Sequence, residues 1–187
     1  MGSIRQQPPR AMLVAALFSR HEELLVRART RLADQFGPIV LEGTAFSFQQ
    51  TDYYARSMGT DLRKQLVAFG SPRPVDALPK IKVATNLLER EILQPGEFPE
   101  ERPLNIDPGM ADMAKLLLAS TKDHVHRLYL GEGIFGEVTL HFRHGAWRAF
   151  PWTYPDYLLP EVHDFLNELR EYLRRFPREY GASATVE

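Results

Sequence analysis

Two periodicities take turns along the chain. Ala11–Phe18 is an unbroken apolar run closed by a polar residue, which predicts a strand buried on both faces. Ser19 followed by Glu22 forms a capping box, so a helix should open there. Leu24, Leu25, Ala28, Leu32 and Phe36 then recur at helical spacing until Gly37-Pro38 stops the helix. The β-branched and aromatic segment 39–48 predicts a second strand, and 65–69 a third that ends at Gly70-Ser71-Pro72. Leu78, Ile81, Thr85, Leu88 and Ile92 share one face of a second helix, with Pro79 tolerated in its first turn. Leu104-Asn105-Ile106-Asp107 alternates as a fourth strand, closed by Pro108-Gly109.

That order, βαββαβ, predicts an α+β fold with a ferredoxin-like split βαβ core. Its two helices cover one sheet face, so the rest of the chain should cover the other. Segment 111–120 reads as a short helix, 125–142 as a β-hairpin and 146–150 as another short strand. A closing helix from about Pro160 presents Val162, Phe165, Leu166, Leu169, Tyr172, Leu173 and Phe176 as an apolar stripe. Taking Gly131-Glu132-Gly133 as a three-residue turn sets the hairpin register. Leu128, Leu130, Ile134, Val138, Leu140 and Phe142 then share a buried face, with Arg127, Tyr129, Phe135, Glu137, Thr139 and His141 opposite. Leu128 faces Gly136, and Arg127 faces Glu137. One domain over residues 11–177 is expected, with 1–10 and 180–187 as flexible tails.

Composition narrows the function more than it names one. The chain has 187 residues, 44% hydrophobic and 25% charged, which suits one globular core and excludes a disordered chain. A formal net charge of −1 offers no broad field to a nucleic-acid backbone or an anionic membrane, so neither is an expected partner. With no cysteine, disulfide scaffolds, thiolate catalysis and Cys-ligated metals drop out. No apolar run reaches the roughly 18–20 residues of a membrane span, and the first ten residues lack a signal-peptide segment. A soluble cytoplasmic protein is therefore expected. Both glycine-rich phosphate cradles are missing, as are the G-x-S-x-G elbow and the H-E-x-x-H helix. No residue pattern names a cofactor or an oligomeric state.

Chemistry must come from denser, less standard groupings. His124-x-His126 with Glu137 and His141 resembles a metal set, but strand alternation separates His126 from Glu137 and His141, so no metal is expected. Arg127 opposite Glu137 is either a cross-strand ion pair or a group that orients a ligand. Asn105 and Asp107 point away from Leu104 and Ile106, onto the sheet face that the helices leave open. Thr51-Asp52-Tyr53-Tyr54 and the segment Trp152-Thr153-Tyr154-Pro155-Asp156-Tyr157 both combine hydroxyl, carboxylate and aromatic groups. Such segments either clamp a ligand by stacking and hydrogen bonding, or seal a core edge and cap helices.

The same segments carry a resemblance. Thr51–Tyr54, Asn105-Ile106-Asp107-Pro108-Gly109, the stretch from Lys115 to Asp123, His126-Arg127-Leu128-Tyr129-Leu130 and Trp152–Tyr157 occur in order. Over about 11–177 the chain resembles domain-of-unknown-function family 4416, a group of small bacterial and archaeal proteins. The resemblance implies no assigned activity. Some members are labelled GTP-binding; the missing phosphate loop gives that label no support here. Thr121-Lys122-Asp123 likewise lacks the spacer of a guanine-reading loop.

The leading expectation is a polar-aromatic site for a small anionic or phosphorylated ligand, with or without catalysis. Asp52, Asn105, Asp107, Lys122, Asp123, His126, Arg127, Glu137 and Asp156 are its polar candidates, and Tyr53, Tyr129, Trp152 and Tyr157 its walls. Lys122, His126 and Arg127 suit anionic oxygens. The alternative is a non-catalytic protein-interaction module.

Overall fold

The computed structural model describes residues 6–49 and 54–176. Asp52 and Tyr53, and the expected tail 180–187, lie outside the described residues. The fold is α+β, built on a ten-stranded antiparallel sheet. At its centre is β1 (Arg10–Ser19), whose residues after Arg10 are all buried. β1 is flanked by β4 (Arg63–Phe69) and β6 (Asn105–Ala111). β2 (Ile39–Glu42) lies beyond β4, while β7 (Lys115–Ser120), β9 (Ile134–Arg143) and β10 (Ala146–Ala149) lie beyond β6. The resulting order is β10-β9-β7-β6-β1-β4-β2. β3 (Phe46–Ser47), β5 (Arg73–Pro74) and β8 (Leu128–Gly131) are short additions to β4, β1 and β9.

The period of two in β1 divides the core. Leu13, Ala15 and Leu17 join Leu24, Leu25, Ala28 and Leu32 of α1 (Glu22–Phe36) and Leu78, Ile81 and Leu88 of α3 (Leu78–Glu91). Met12, Val14 and Ala16 face the other way, onto Val162, Phe165, Leu166, Leu169 and Leu173 of α4 (Pro160–Leu173). Each fully buried large side chain there contributes roughly 1.5–3 kcal/mol. Past the end of α4's cover, Phe18, Phe48 and Leu62 pack with Met58 of the short helix α2 (Ala55–Met58).

Several expectations are corrected. Segment 111–120 is not helical: Asp112 accepts the amides of Ala114 and Lys115 in a tight turn, and Lys115–Ser120 becomes β7. Its leucine run fits a buried strand as well as a helix, and pairing with β9 decides the matter. The hairpin therefore widens the sheet instead of covering it; α4 is the cover. The fourth strand does not stop at Pro108-Gly109 but runs on to Ala111. Segment 39–48 breaks into β2 and β3. Ser19 forms no capping box. Its hydroxyl donates to the Pro103 carbonyl and accepts the His21 amide, and α1 starts at Glu22.

The hairpin corrects the burial expectation most. Its turn is Glu132-Gly133, both with positive φ (55° and 73°), and Gly131 pairs with Ile134. Leu128 does face Gly136, yet Leu128 is 74% and Leu130 42% exposed. Glu137, expected on the face away from the core, is only 4% exposed. Glu137 does lie opposite Ile134, but both sheet faces carry core, whereas Leu128 and Leu130 stand on a short edge strand; what a bulge in β9 changes is the side of Leu140. Leu116 pairs with Leu140 and Leu118 with Glu137, so Thr139 is the extra residue, and Glu137 shares Leu140's side of the sheet. Leu128→Ser is expected to change unfolding free energy by less than about 0.5 kcal/mol, whereas Ile134→Val lowers it by about 1 kcal/mol. Urea titrations of the two variants read the difference.

Candidate functional site

A local fault in the sheet creates the site. Ile106 gives neither backbone group to β7: its N–H donates to Glu89 Oε1 at 2.8 Å, and its carbonyl accepts from Lys82 Nζ at 3.0 Å. Strand alternation puts Pro108 on the same edge, and proline has no N–H to offer a neighbour. The β6–β7 ladder accordingly covers only Gly109, Met110 and Ala111. Upstream of Gly109 the edge of β6 is served by side chains of α3. These reach into a cleft of about 890 Å³ at the opening between β6 and β7, lined by α3 on one side and by Lys64, Asp156 and Tyr157 on the other.

Ion pairs line this cleft. Lys82 meets Asp107 at 2.9 Å, Lys64 meets Asp156 at 2.5 Å, and Arg127 Nε meets Glu137 at 2.7 Å. Arg102 closes on Glu89 at 2.8 Å near the rim, where its side chain is half exposed. Lys64 is also held by rings, lying 4.3 Å from the Tyr157 centroid and 5.3 Å from those of Phe18 and Phe48. Arg127 is clamped from several sides. Besides Glu137, it donates to Ser120 Oγ, the Lys122 carbonyl and the Tyr154 hydroxyl. Glu137 also receives His126 Nε2 at 3.1 Å and the Thr139 hydroxyl.

The expected residues separate into two groups. Asn105, Asp107, Lys122, Arg127, Glu137, Asp156 and Tyr157 all line the cleft. Asp123 is exposed and is not part of its lining. His126 and Trp152 stand behind Glu137, stacked on each other at 5.2 Å, and Tyr129 is exposed on β8 with its hydroxyl accepting the Gly133 amide. Arg127 and Glu137 do form an ion pair, and both line the cleft. Among the described residues no group of three His, Asp or Glu is placed to hold a metal ion.

Lys64, Lys82, Glu89 and Arg102 were missed from sequence. Their signals were present but weak. Lys64 is in phase with Leu66 and Ala68 on β4, so its side chain had to share their buried side. Lys82 and Glu89 are seven residues apart on α3, beside the apolar stripe, and both are buried. A buried lysine or glutamate at a core position implies a partner of opposite charge.

Electrostatics assign roles within the cleft. Burial pushes the Asp107 carboxyl upward, but the adjacent Lys82 ammonium and the charges of Lys64 and Arg102 outweigh it and hold the pKa below the usual value. Asp107 is thus an anion. Burial pushes Glu89 up, and Arg102 with the Ile106 amide only partly offset this. The Tyr157 phenol is raised well above its normal value, first by burial and then by Asp156, so it stays protonated and is no base. Because Asp107's folded pKa is depressed, its contribution to stability exists above the unfolded pKa and fades as pH falls through the folded one. Asp107→Asn should flatten the decline in urea midpoint below about pH 4, while matching the parent's slope near pH 7.

A family model described as a domain of unknown function (DUF4416) matches residues 9–172. The chain belongs to this family. The DUF4416 match includes every strand of the sheet, the α3 side chains that enter the cleft and almost all of α4. Neither a curated protein nor a solved structure matches the chain. Donors remain available in this DUF4416 protein's cleft. Lys82 has three N–H groups and commits two of them, to Ile106 and Asp107. Asn105 Nδ2 is buried with no hydrogen-bond partner among the described residues.

Proposed function

We propose that this protein binds a small anionic or phosphorylated ligand in the cleft between the β6–β7 opening and the turn entering α4. The observation that carries the reading is the buried Asn105 amide, which has no partner among the described residues and shares the cleft with the lysines of two ion pairs. An unmet buried donor costs roughly 1–3 kcal/mol, a cost that a ligand acceptor removes. The cleft volume of about 890 Å³ suits a small molecule. We propose Asp107, Asn105, Asp156 and Tyr157 as ligand contacts, with Lys82 serving the anionic group. Arg127 and Glu137 build the wall rather than bind, because their hydrogen bonds go chiefly to each other and to the surrounding chain.

The reading treats residues 11–177 as one cytoplasmic domain with a ferredoxin-like core. The antiparallel order β6-β1-β4-β2, with α1 and α3 packed on one face, supports that core. A second reading, a protein-interaction module, draws on one observation. Val125, Leu128, Tyr129 and Leu130 are exposed apolar residues in and just before β8.

Thermal denaturation with inorganic phosphate, phosphorylated metabolites and their unphosphorylated parents tests the leading reading. A bound anion at a hundred times its Kd adds about 2.7 kcal/mol, expected to raise Tm by about 5–10 °C. Lys82→Met should abolish the shift. No stabilisation by any phosphorylated compound, with the parent protein folded, rejects the reading in favour of the hairpin surface.

A further inference from the structure

We infer that the ligand of this cleft is a phosphorylated polyol or sugar, recognised through its hydroxyl groups as much as through its phosphate. The inference rests on the anion-binding reading above and narrows it to one chemical class.

Charge balance supplies the first reason. Lys64, Lys82, Arg102 and Arg127 each face a carboxylate within the cleft, namely Asp156, Asp107, Glu89 and Glu137. Such a lining produces little net positive field. A compact, highly charged anion gains little from it and meets several carboxylates on entry. Affinity has to come mainly from neutral groups that both donate and accept.

Hydroxyls are the groups that match what is left unsatisfied. Among the described residues, Asp107 uses Oδ1 for Lys82 and has no hydrogen bond to Oδ2, while Lys82 retains one N–H. A hydroxyl donates to the first and accepts from the second, and a vicinal pair of hydroxyls spans such a lysine–carboxylate pair. Asn105 adds the independent observation. It is 2% exposed, lines the cleft, and its Nδ2 has no partner among the described residues. An amide N–H₂ is satisfied by a hydroxyl or ring oxygen. Register fixes its place: Asn105 and Lys64 both lie opposite Phe18, and Asp107 is two residues along the same strand face. Donor, acceptor and the aromatic rings of Phe18, Tyr54 and Tyr157 therefore share one surface. The rings offer flat apolar walls for the C–H face of a sugar.

Calorimetric titration of the full chain with glucose 6-phosphate, sorbitol 6-phosphate, phenyl phosphate and inorganic phosphate tests this. At least one of the two polyol phosphates is expected to bind tenfold or more tightly than phenyl phosphate and inorganic phosphate. Asn105→Leu should lose that tenfold preference, read as the ratio of polyol-phosphate to phenyl-phosphate affinity. Asp107→Asn, which keeps the shape of the side chain, gives the same comparison if Asn105→Leu fails to fold by circular dichroism. Phenyl phosphate binding as tightly as both polyol phosphates overturns the polyol inference while the anion reading survives. Absence of binding by all four compounds overturns both.

Discussion

Arg127→Ala is expected to lower the unfolding free energy by about 3–5 kcal/mol, the largest single loss among the charged residues. The reason is Glu137. Both side chains are almost fully buried, and Arg127 Nε lies 2.7 Å from the Glu137 carboxylate. Burial works against the Arg127 cation, but hydrogen bonds to Glu137 and Tyr154 raise its pKa, so the group stays charged. Truncation strands an anion in the wall of the cleft, with His126 and Thr139 as its remaining partners among the described residues. It also frees the 120–127 connection, since Arg127 ties Ser120, the Lys122 carbonyl and Tyr154 together. A double variant, Arg127→Leu with Glu137→Leu, removes both charges and should recover most of the loss. Urea unfolding of Arg127→Leu, Glu137→Leu and the double variant closes this cycle. Equal losses in the single and double variants would show that the loop ties, not the buried charge, dominate.

Gly109→Ala is the second large effect. A Cβ built at Gly109 would lie 2.4 Å from the Leu117 carbonyl oxygen and 2.9 Å from Leu118 Cδ2. The nearer atom is backbone of the adjacent strand, so β7 has to move. Gly109 also holds the last pair of the β6–β7 ladder before the strands part. Overpacking of this kind costs typically 1–3 kcal/mol, and the backbone clash places this site at about 3 kcal/mol. For a chain of this length that lowers Tm by about 6–12 °C. A scanning-calorimetry shift below about 2 °C would mean that β7 yields easily and that the close approach is not needed.

Both predictions concern the same fault in the sheet, and the two strands that border it were not equally legible in sequence. β6 was, in part: the alternation of Leu104-Asn105-Ile106-Asp107 correctly turned Asn105 and Asp107 away from α3. β7 was not. Leu116, Leu117 and Leu118 have no period that separates a buried strand from a helix, and only pairing with β9 settles their conformation. The Thr139 bulge had no local signal either. It brought Leu140 round to Glu137's side of the sheet, while Arg127 facing Glu137 followed from hairpin alternation.

The amino-acid order by itself determined β1, α1, α3 and α4, because their apolar residues repeat at the spacing of the element they form. It likewise determined that β6 would turn two polar side chains to the face without α1 and α3. Tertiary structure decided the rest. Lys64 and Lys82 acquire partners 92 and 25 residues distant, and α3 reaches β6 because Pro108 leaves β7 without a donor to pair with. Periodicity is a property of neighbours along the chain, so it reports which way a side chain faces. Which charge it meets there depends on how strands distant in sequence are aligned, and one extra residue in β9 is enough to change that alignment.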